Sequence, residues 1–446
     1  MSPDRILFTT ACADGELYDY VRVYTPSPLR ATLTRDISFG LRFIKQNVPS
    51  IEVLEYPTAQ QFREALRKGW DAVGFSFYTN ETQRVLQMME WARAAGVREI
   101  WGGNYGVLND RIQDRFDRRF IGYAEPELQT LLGLPHEEIV HPPLVAHIGW
   151  PTPEGHLTAF RLGVLFTTRG CSFKCSFCQS PVFAPKPQPI PLHHLRRVLE
   201  FYRAEGVREV LILDENFGNL PEHTDRVIDL LASQGLDWLA LTRCDLLSRN
   251  FDSWTSRGFA GALLGIESVN QAVLNEIQKK TSVEATRHLI SEMNRRNLLT
   301  VGFYIIGFEA DTAESLESDL RTLARLDLDV TQVCVLTPFP NTPLWSELDT
   351  KYGIFEQDWE KYGTGHLVWK HPHLAPREAR DIAAGSLRLL QSPRRFFRAM
   401  LKWHLHRTAK YGGIPAAIGF NREFVRSNGR GLRTIRERQP LTVFPR

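Results

Sequence analysis

The string Arg169-Gly170-Cys171-Ser172-Phe173-Lys174-Cys175-Ser176-Phe177-Cys178-Gln179 sets three thiols at spacings of four and three, straight after the apolar run GVLFTT. Three thiolates do not complete a tetrahedral zinc site, and no fourth Cys or His lies within ten residues. The chemistry that fits is an iron-sulfur cluster on Cys171, Cys175 and Cys178 with one iron left open for a chelating ligand. Phe173 and Phe177 supply an apolar shell that limits solvent access to such a cluster. Cys12, Cys244 and Cys334 stand alone and read as buried small hydrophobes.

A loop of this kind needs rigid elements on both sides. From Leu162 the chain alternates short apolar runs with amphipathic stretches: GVLFTT, HHLRRVLEFYRAEG, EVLILD, HTDRVIDLLASQG, WLALT, GALLGIE, VEATRHLISEMNRRN, TVGFYIIGF, AESLESDLRTLARL and VTQVCVL. Six strand and helix repeats predict a partial parallel (β/α)6 barrel over 161–350, with functional residues at the strand C-termini. Residues 1–134 alternate in the same way through RILFTT, FGLRFIKQN, IEVLEY, AQQFREALRKG, WDAVGFSFY, ETQRVLQMMEWARAAG, EIWGG and FIGYA. That order predicts an α/β, Rossmann-like doubly wound sheet, whose ligands bind beyond the strand C-termini. Between them, 135–160 holds Pro135, Pro142, Pro143, Pro151 and Pro153 and reads as an extended linker. Residues 351–446 read as a basic, mainly helical region.

The whole chain is 446 residues, 43% apolar and 24% charged, which suits two or three globular domains. No stretch of eighteen apolar residues and no basic leader with an apolar core appears, so a cytoplasmic protein is expected. The net charge of +3 hides a polarity: residues 391–446 carry 13 Lys/Arg against Glu423 and Glu437, and the remainder is acidic. Residues 392–411, SPRRFFRAMLKWHLHRTAKY, mix aromatic and basic residues at helical spacing. They fit a helix lying on the inner face of an anionic membrane, or one packing its aromatic face on the barrel with its charges in water. Nucleic acid is the weaker fit, because aromatic residues thin out after Phe424.

The pattern C-x-x-x-C-x-x-C, with Phe177 before its last cysteine, resembles the signature of the radical S-adenosylmethionine superfamily. The resemblance implies a 4Fe-4S cluster whose open iron takes the amino and carboxylate groups of S-adenosylmethionine. Reductive cleavage of the sulfonium then yields a 5′-deoxyadenosyl radical that abstracts hydrogen from a substrate. Further strings follow in the family's order. Asp214-Glu215-Asn216-Phe217 resembles the acidic segment near the methionine amino group, and Arg243 in LTRCD the arginine near its carboxylate. Glu267 and Ser268 in GIES resemble the motif near the ribose, IIGFE with Gly307 resembles the Gly-containing strand beside adenine, and LTPFPNTPLW resembles the sixth-strand segment. Singly, a carboxylate ending a strand also serves as a helix cap and an arginine as a surface ion-pair partner.

WDAVGFSFYTNETQRVL, IWGGNYGV and FIGYAEPEL resemble the cobalamin-binding domain that precedes the barrel in one large subgroup of these enzymes. This implies a corrinoid between the domains, with contacts expected at Thr79, Asn80 and the turn Gly102-Gly103. The subgroup's frequent axial histidine is missing, since the first histidine is His136. The leading expectation is cobalamin-dependent methyl transfer to an unactivated carbon of a small or lipid-like metabolite, served by an electron donor such as flavodoxin or ferredoxin. The alternatives are cobalamin-free radical cyclisation, coupling, rearrangement or oxidation, and a non-catalytic iron-sulfur binding or maturation partner. A transfer-RNA methylthiotransferase would call for an N-terminal cysteine set, and only Cys12 is present there.

Overall fold

A computed structural model describes residues 3–13, 32–33, 37–152, 155–402 apart from 393, 396 and 400, and 441–445. The first sheet orders its strands Glu52–Leu54, Ile6–Thr10, Ala72–Ser76, Glu99–Gly103 and Arg118–Arg119, all parallel. A parallel sheet buries both faces, which is why ILFTT is buried throughout rather than alternating. One face packs Phe62, Leu66, Val85 and Met88 from the helices Ala59–Leu66 and Thr82–Ala94. The other packs Leu41, Ile44 and Leu128 from Phe39–Asn47 and Glu125–Leu131. Thr58 starts one of these helices with a capping box to Gln61. The chain steps outward from Ile6–Thr10 to Glu52–Leu54 and then returns to the other side at Ala72–Ser76. The crevice of such a doubly wound sheet lies at this reversal, outside Thr10 and Ser76.

The second sheet runs Val330–Val335, Leu299–Ile306, Phe259–Glu267, Asp237–Arg243, Glu209–Ile212 and Gly155–Leu165, six parallel strands in sequential order. These are the six apolar runs expected from the sequence. They form a curled half-barrel whose concave side carries Leu162, Leu211, Leu239, Leu263 and Val301, one from each of five successive strands. The outer side packs against the helices, with Trp238, Trp254, Phe217 and Phe259 in one aromatic group.

Two elements differ from the sequence reading. The stretch 135–160 is not an unpaired linker throughout: Val145–Thr152 pairs antiparallel with Gly155–Leu165 and adds to the barrel sheet. Pro151 opposes His156 inside this hairpin, close to the sheet edge where a missing N–H is tolerated. The strand expected at FIGYA begins earlier, at Arg118–Arg119, because Gly122 takes a left-handed φ of +97° that turns the chain away.

The C-terminal region contributes the helix Pro376–Leu390. After it, Arg398 bonds Asp329 at 3.1 Å, and Lys402 reaches the same buried Asp329 at 2.8 Å and Asn294 at 2.6 Å. Arg395 donates to the carbonyls of Leu390 and Ala324. These three basic residues of the 392–411 segment are thus turned onto the barrel, while its residues 403–411 lie outside the described set. Residues 441–445 return to the domain junction, where Phe444 exchanges both backbone hydrogen bonds with the Gln46 amide and lies under Arg197. No helix among the described residues is long and apolar enough to cross a membrane.

Gly261 sits where a Cβ would lie 2.6 Å from the Leu299 carbonyl oxygen of the neighbouring strand. Gly261→Ala is expected to destabilise the barrel by about 1–3 kcal/mol through forced strand separation. A thermal melt should show a fall in midpoint, and an unchanged midpoint would contradict this packing.

Candidate functional site

The cysteine loop leaves the strand Gly155–Leu165 through Thr167, Thr168, Arg169 and Gly170. Three carboxylates fix these four residues. Asp214 accepts from Thr167 N at 2.6 Å, Thr167 Oγ1 at 2.5 Å, Thr168 N at 3.1 Å and Thr168 Oγ1 at 2.7 Å. Burial pushes its carboxyl up to about 7 against these four hydrogen bonds. Arg169 makes a bidentate pair with Glu125, at 3.0 and 2.8 Å, with both side chains buried. Its guanidinium lies between the rings of Phe43 and Tyr123, 4.2 and 4.4 Å from their centroids. Gly170, at φ +91°, has no room for a Cβ and donates its N–H to Glu215 at 3.0 Å.

Beyond Gly170 the three thiols are close enough to influence one another's ionisation. Burial pushes the Cys171 thiol up to about 11 and raises Cys178, so iron must displace protons to bind there. Cys178 N donates to the Cys175 carbonyl at 3.1 Å, and Cys171 N to that of Ala184 at 3.0 Å. The LTPFPNTPLW segment closes over the loop: Leu344 N donates to Ser176 O at 3.1 Å and Gln179 Nε2 to Pro340 O at 3.4 Å. Phe177 is half-buried and packs on the main core.

The residues named by the family resemblance divide by what their polar atoms already do. Asp214, with four hydrogen bonds and 1% exposure, has its carboxylate engaged by the start of the loop. Glu215 is likewise engaged, accepting from Gly170 and from the Tyr123 hydroxyl. Asn216 is the free donor of the segment, because its Oδ1 accepts from Arg243 N while its buried Nδ2 has no partner. Arg243 stacks on Phe173 at 4.3 Å, pairs with Asp245 at 2.8 Å and brings Nη1 to 3.8 Å from Cys175 Sγ. Glu267 adopts φ +62°, uncommon for a side-chain-bearing residue, and forms a buried pair with Lys279 at 2.7 Å. Burial alone would lower Lys279, but the charge and hydrogen bond of Glu267 outweigh it and hold the ammonium above its ordinary range. Ser268 accepts from Asn270 N at 3.0 Å. Gly307, at φ +86°, donates its N–H to Asp311 at 2.8 Å.

On the opposite wall are the strand C-termini of the first sheet. Thr79 is 1% exposed and its Oγ1 has no hydrogen-bond partner, a buried hydroxyl of the kind a ligand satisfies. Gly103 leaves open space where a Cβ would stand, its nearest neighbour being Phe75 O at 3.9 Å. Gly102 does not, since its Cβ would meet Val107 and Phe116 at 2.7 and 2.8 Å, so packing alone requires that glycine. Asn80 lies against Gly363 of the C-terminal region. Tyr105 stacks on Tyr78, packs 4.8 Å from Phe183 and shares a 3.1 Å hydrogen bond with Ser180, two residues past Cys178. Burial and the nearby Glu215 charge raise both Tyr105 and Tyr123, which therefore stay protonated. The free polar atoms of Thr79 and Asn216 and the space at Gly103 fit groups bound on both walls.

Lys279, Arg169, Glu125, Tyr105 and Tyr123 were not singled out from the sequence. The Arg-Gly step before Cys171 and the Glu inside YAEPEL were visible, but nothing local joins two residues 44 apart.

A model of the radical SAM superfamily matches residues 165–323. An uncharacterized methyltransferase of Pyrococcus horikoshii is 28% identical over 227 residues, 48% of each chain. The present chain thus spans about half the length of that relative. Bacteriochlorophyllide d C-8(2)-methyltransferase of Chlorobaculum tepidum is 24% identical over 341 residues, covering 69% of this chain and 74% of its own. Among solved structures, the radical S-adenosylmethionine methyltransferase TsrM of Kitasatospora setae aligns with a TM-score of 0.62 at 15% identity, over 97% of this chain and all of that one. The cobalamin-dependent radical enzyme OxsB aligns at 0.61 and 12% identity, over 97% and 76%. At these identities the likeness to solved structures is one of fold.

Glu125→Gln leaves the buried Arg169 guanidinium with half its partner, and loss of a buried ion-pair partner costs about 3–5 kcal/mol. We expect both a lower thermal midpoint and less iron per chain after anaerobic reconstitution. Arg169→Lys should be no milder than a charge loss, because lysine cannot make the bidentate contact. Wild-type stability and full iron content in Glu125→Gln would refute the role of this pair.

Proposed function

We propose that this chain, whose residues 165–323 form a radical S-adenosylmethionine domain, is a cobalamin-dependent methyltransferase acting on an unactivated carbon of a small or lipid-like metabolite. The observation that carries the reading is the meeting of two walls. The strand C-termini of the first sheet, through Tyr105 and Tyr123, touch Ser180 and Glu215 beside the cysteine loop. Support also comes from the fold shared with TsrM and OxsB, both described with cobalamin bound.

Cys171, Cys175 and Cys178 would hold the cluster, which supplies the electron that turns S-adenosylmethionine into a carbon-radical source; a corrinoid against Thr79 and Gly103 would supply a transferable methyl group. The chain's own residues prepare these places. Arg243, fixed by Phe173 and Asp245, holds its guanidinium 3.8 Å from the Cys175 sulfur. Asn216 offers a buried N–H pair to an acceptor at the mouth. The Glu267–Lys279 pair neutralises two charges at the same rim and leaves Glu267 Oε2 as an acceptor for a hydroxyl. Leu344 and Gln179 join the loop to the sixth-strand segment and restrict water on that side. An electron donor of the flavodoxin or ferredoxin type completes the requirement.

A second reading keeps the radical and drops the methyl. It is favoured by the absence of any histidine before His136, which leaves the first domain without an imidazole for cobalt. Anaerobically purified protein with hydroxocobalamin and labelled S-adenosylmethionine separates the two. The methyltransferase reading expects a bound corrinoid spectrum and labelled methyl in product. Deoxyadenosine formed with no corrinoid retained would overturn it.

A further inference from the structure

Away from the cluster, a second set of ligand-type side chains converges on the outside of the barrel. Glu138 lies in the segment joining the two sheets, and His193 and His194 lie in the first turn of the helix Leu192–Ala204, after Pro191. The Glu138 carboxylate is 3.5 Å from His193 Nε2 and 3.9 Å from His194 Nε2. One ligand atom from each of the three lies within 4.8 Å of the others. Donors sharing one ion at about 2.0–2.2 Å stand roughly 3.0–3.6 Å apart, so only small side-chain rotations separate this arrangement from a coordinated one.

We propose that Glu138, His193 and His194 bind a divalent transition-metal ion of the zinc class. Two imidazoles and one carboxylate are the donor set that suits zinc, cobalt, nickel or copper, and contain no sulfur, unlike the cluster loop. Three protein ligands leave coordination positions open. Glu138 and His193, though not His194, also line a cavity of about 670 Å³ with His223, Arg196 and Arg226. The two arginines oppose a bare dication and favour an anion as the further ligand, so the site takes a metal together with hydroxide, carboxylate or phosphate. Bound metal would tie the connecting segment to the barrel helix.

The test is zinc titration of the full chain carrying its reconstituted cluster, followed by calorimetry and zinc-edge X-ray absorption. The expected result is one zinc per chain with only nitrogen and oxygen neighbours, and iron content unchanged. Glu138→Gln, His193→Gln and His194→Gln, exposed or partly exposed positions that leave the fold intact, should each weaken binding at least roughly 10-fold. A zinc-induced rise in thermal midpoint in the wild type should vanish in the variants. Sulfur in the zinc shell, the absence of stoichiometric binding, or wild-type affinity in all three variants would overturn the proposal.

Discussion

The buried Arg169–Glu125 pair sits between two folding units and two residues from the first cluster cysteine. Bringing both charges out of water costs several kcal/mol, and only a geometry with all donors satisfied offsets that cost. Here the carboxylate takes both guanidinium nitrogens while the rings of Phe43 and Tyr123 lie against the guanidinium. Phe43, Tyr123 and Glu125 come from the first unit and Arg169 from the second, so the pair is satisfied only when the units are docked in one register. The same docking brings the Tyr123 hydroxyl to Glu215 and Tyr105 to Ser180. The cysteine loop therefore has its shape set from both sides, by Asp214 within the barrel and by Glu125 across the interface.

That arrangement explains which parts were legible in the sequence. The cysteine loop is local, and its spacing carries the chemistry without tertiary help. The six barrel strands are continuous apolar runs because parallel strands are buried on both faces. The pairings that organise the site are not local. Glu267 meets Lys279 across a turn in which Gln278 and Lys280 also take positive φ, a conformation that composition does not reveal. Asp214 is visible in the sequence as a carboxylate ending a strand, but its four hydrogen bonds to the two threonines before Arg169 are not. The proline-rich stretch reads as a linker, yet strand pairing prevails near a sheet edge.

Charge shows the same division. The excess of basic residues after position 391 is plain in the sequence, but what the charges face is not. Arg395, Arg398 and Lys402 spend their charge on the carbonyls and carboxylates around Asp327 and Asp329, with Asp329 fully enclosed. The segment is thereby anchored to the last barrel strands, and Phe444 anchors the chain end to Gln46 of the first unit.

The central claim is that the two units build one site, with the cluster and a corrinoid on facing walls. It is tested most directly by low-temperature electron paramagnetic resonance of anaerobic protein carrying both the reduced cluster and cob(II)alamin. The account predicts magnetic interaction between the two centres, seen as splitting or broadening that neither shows alone and that Glu125→Gln diminishes. Two unperturbed spectra that simply add would contradict it.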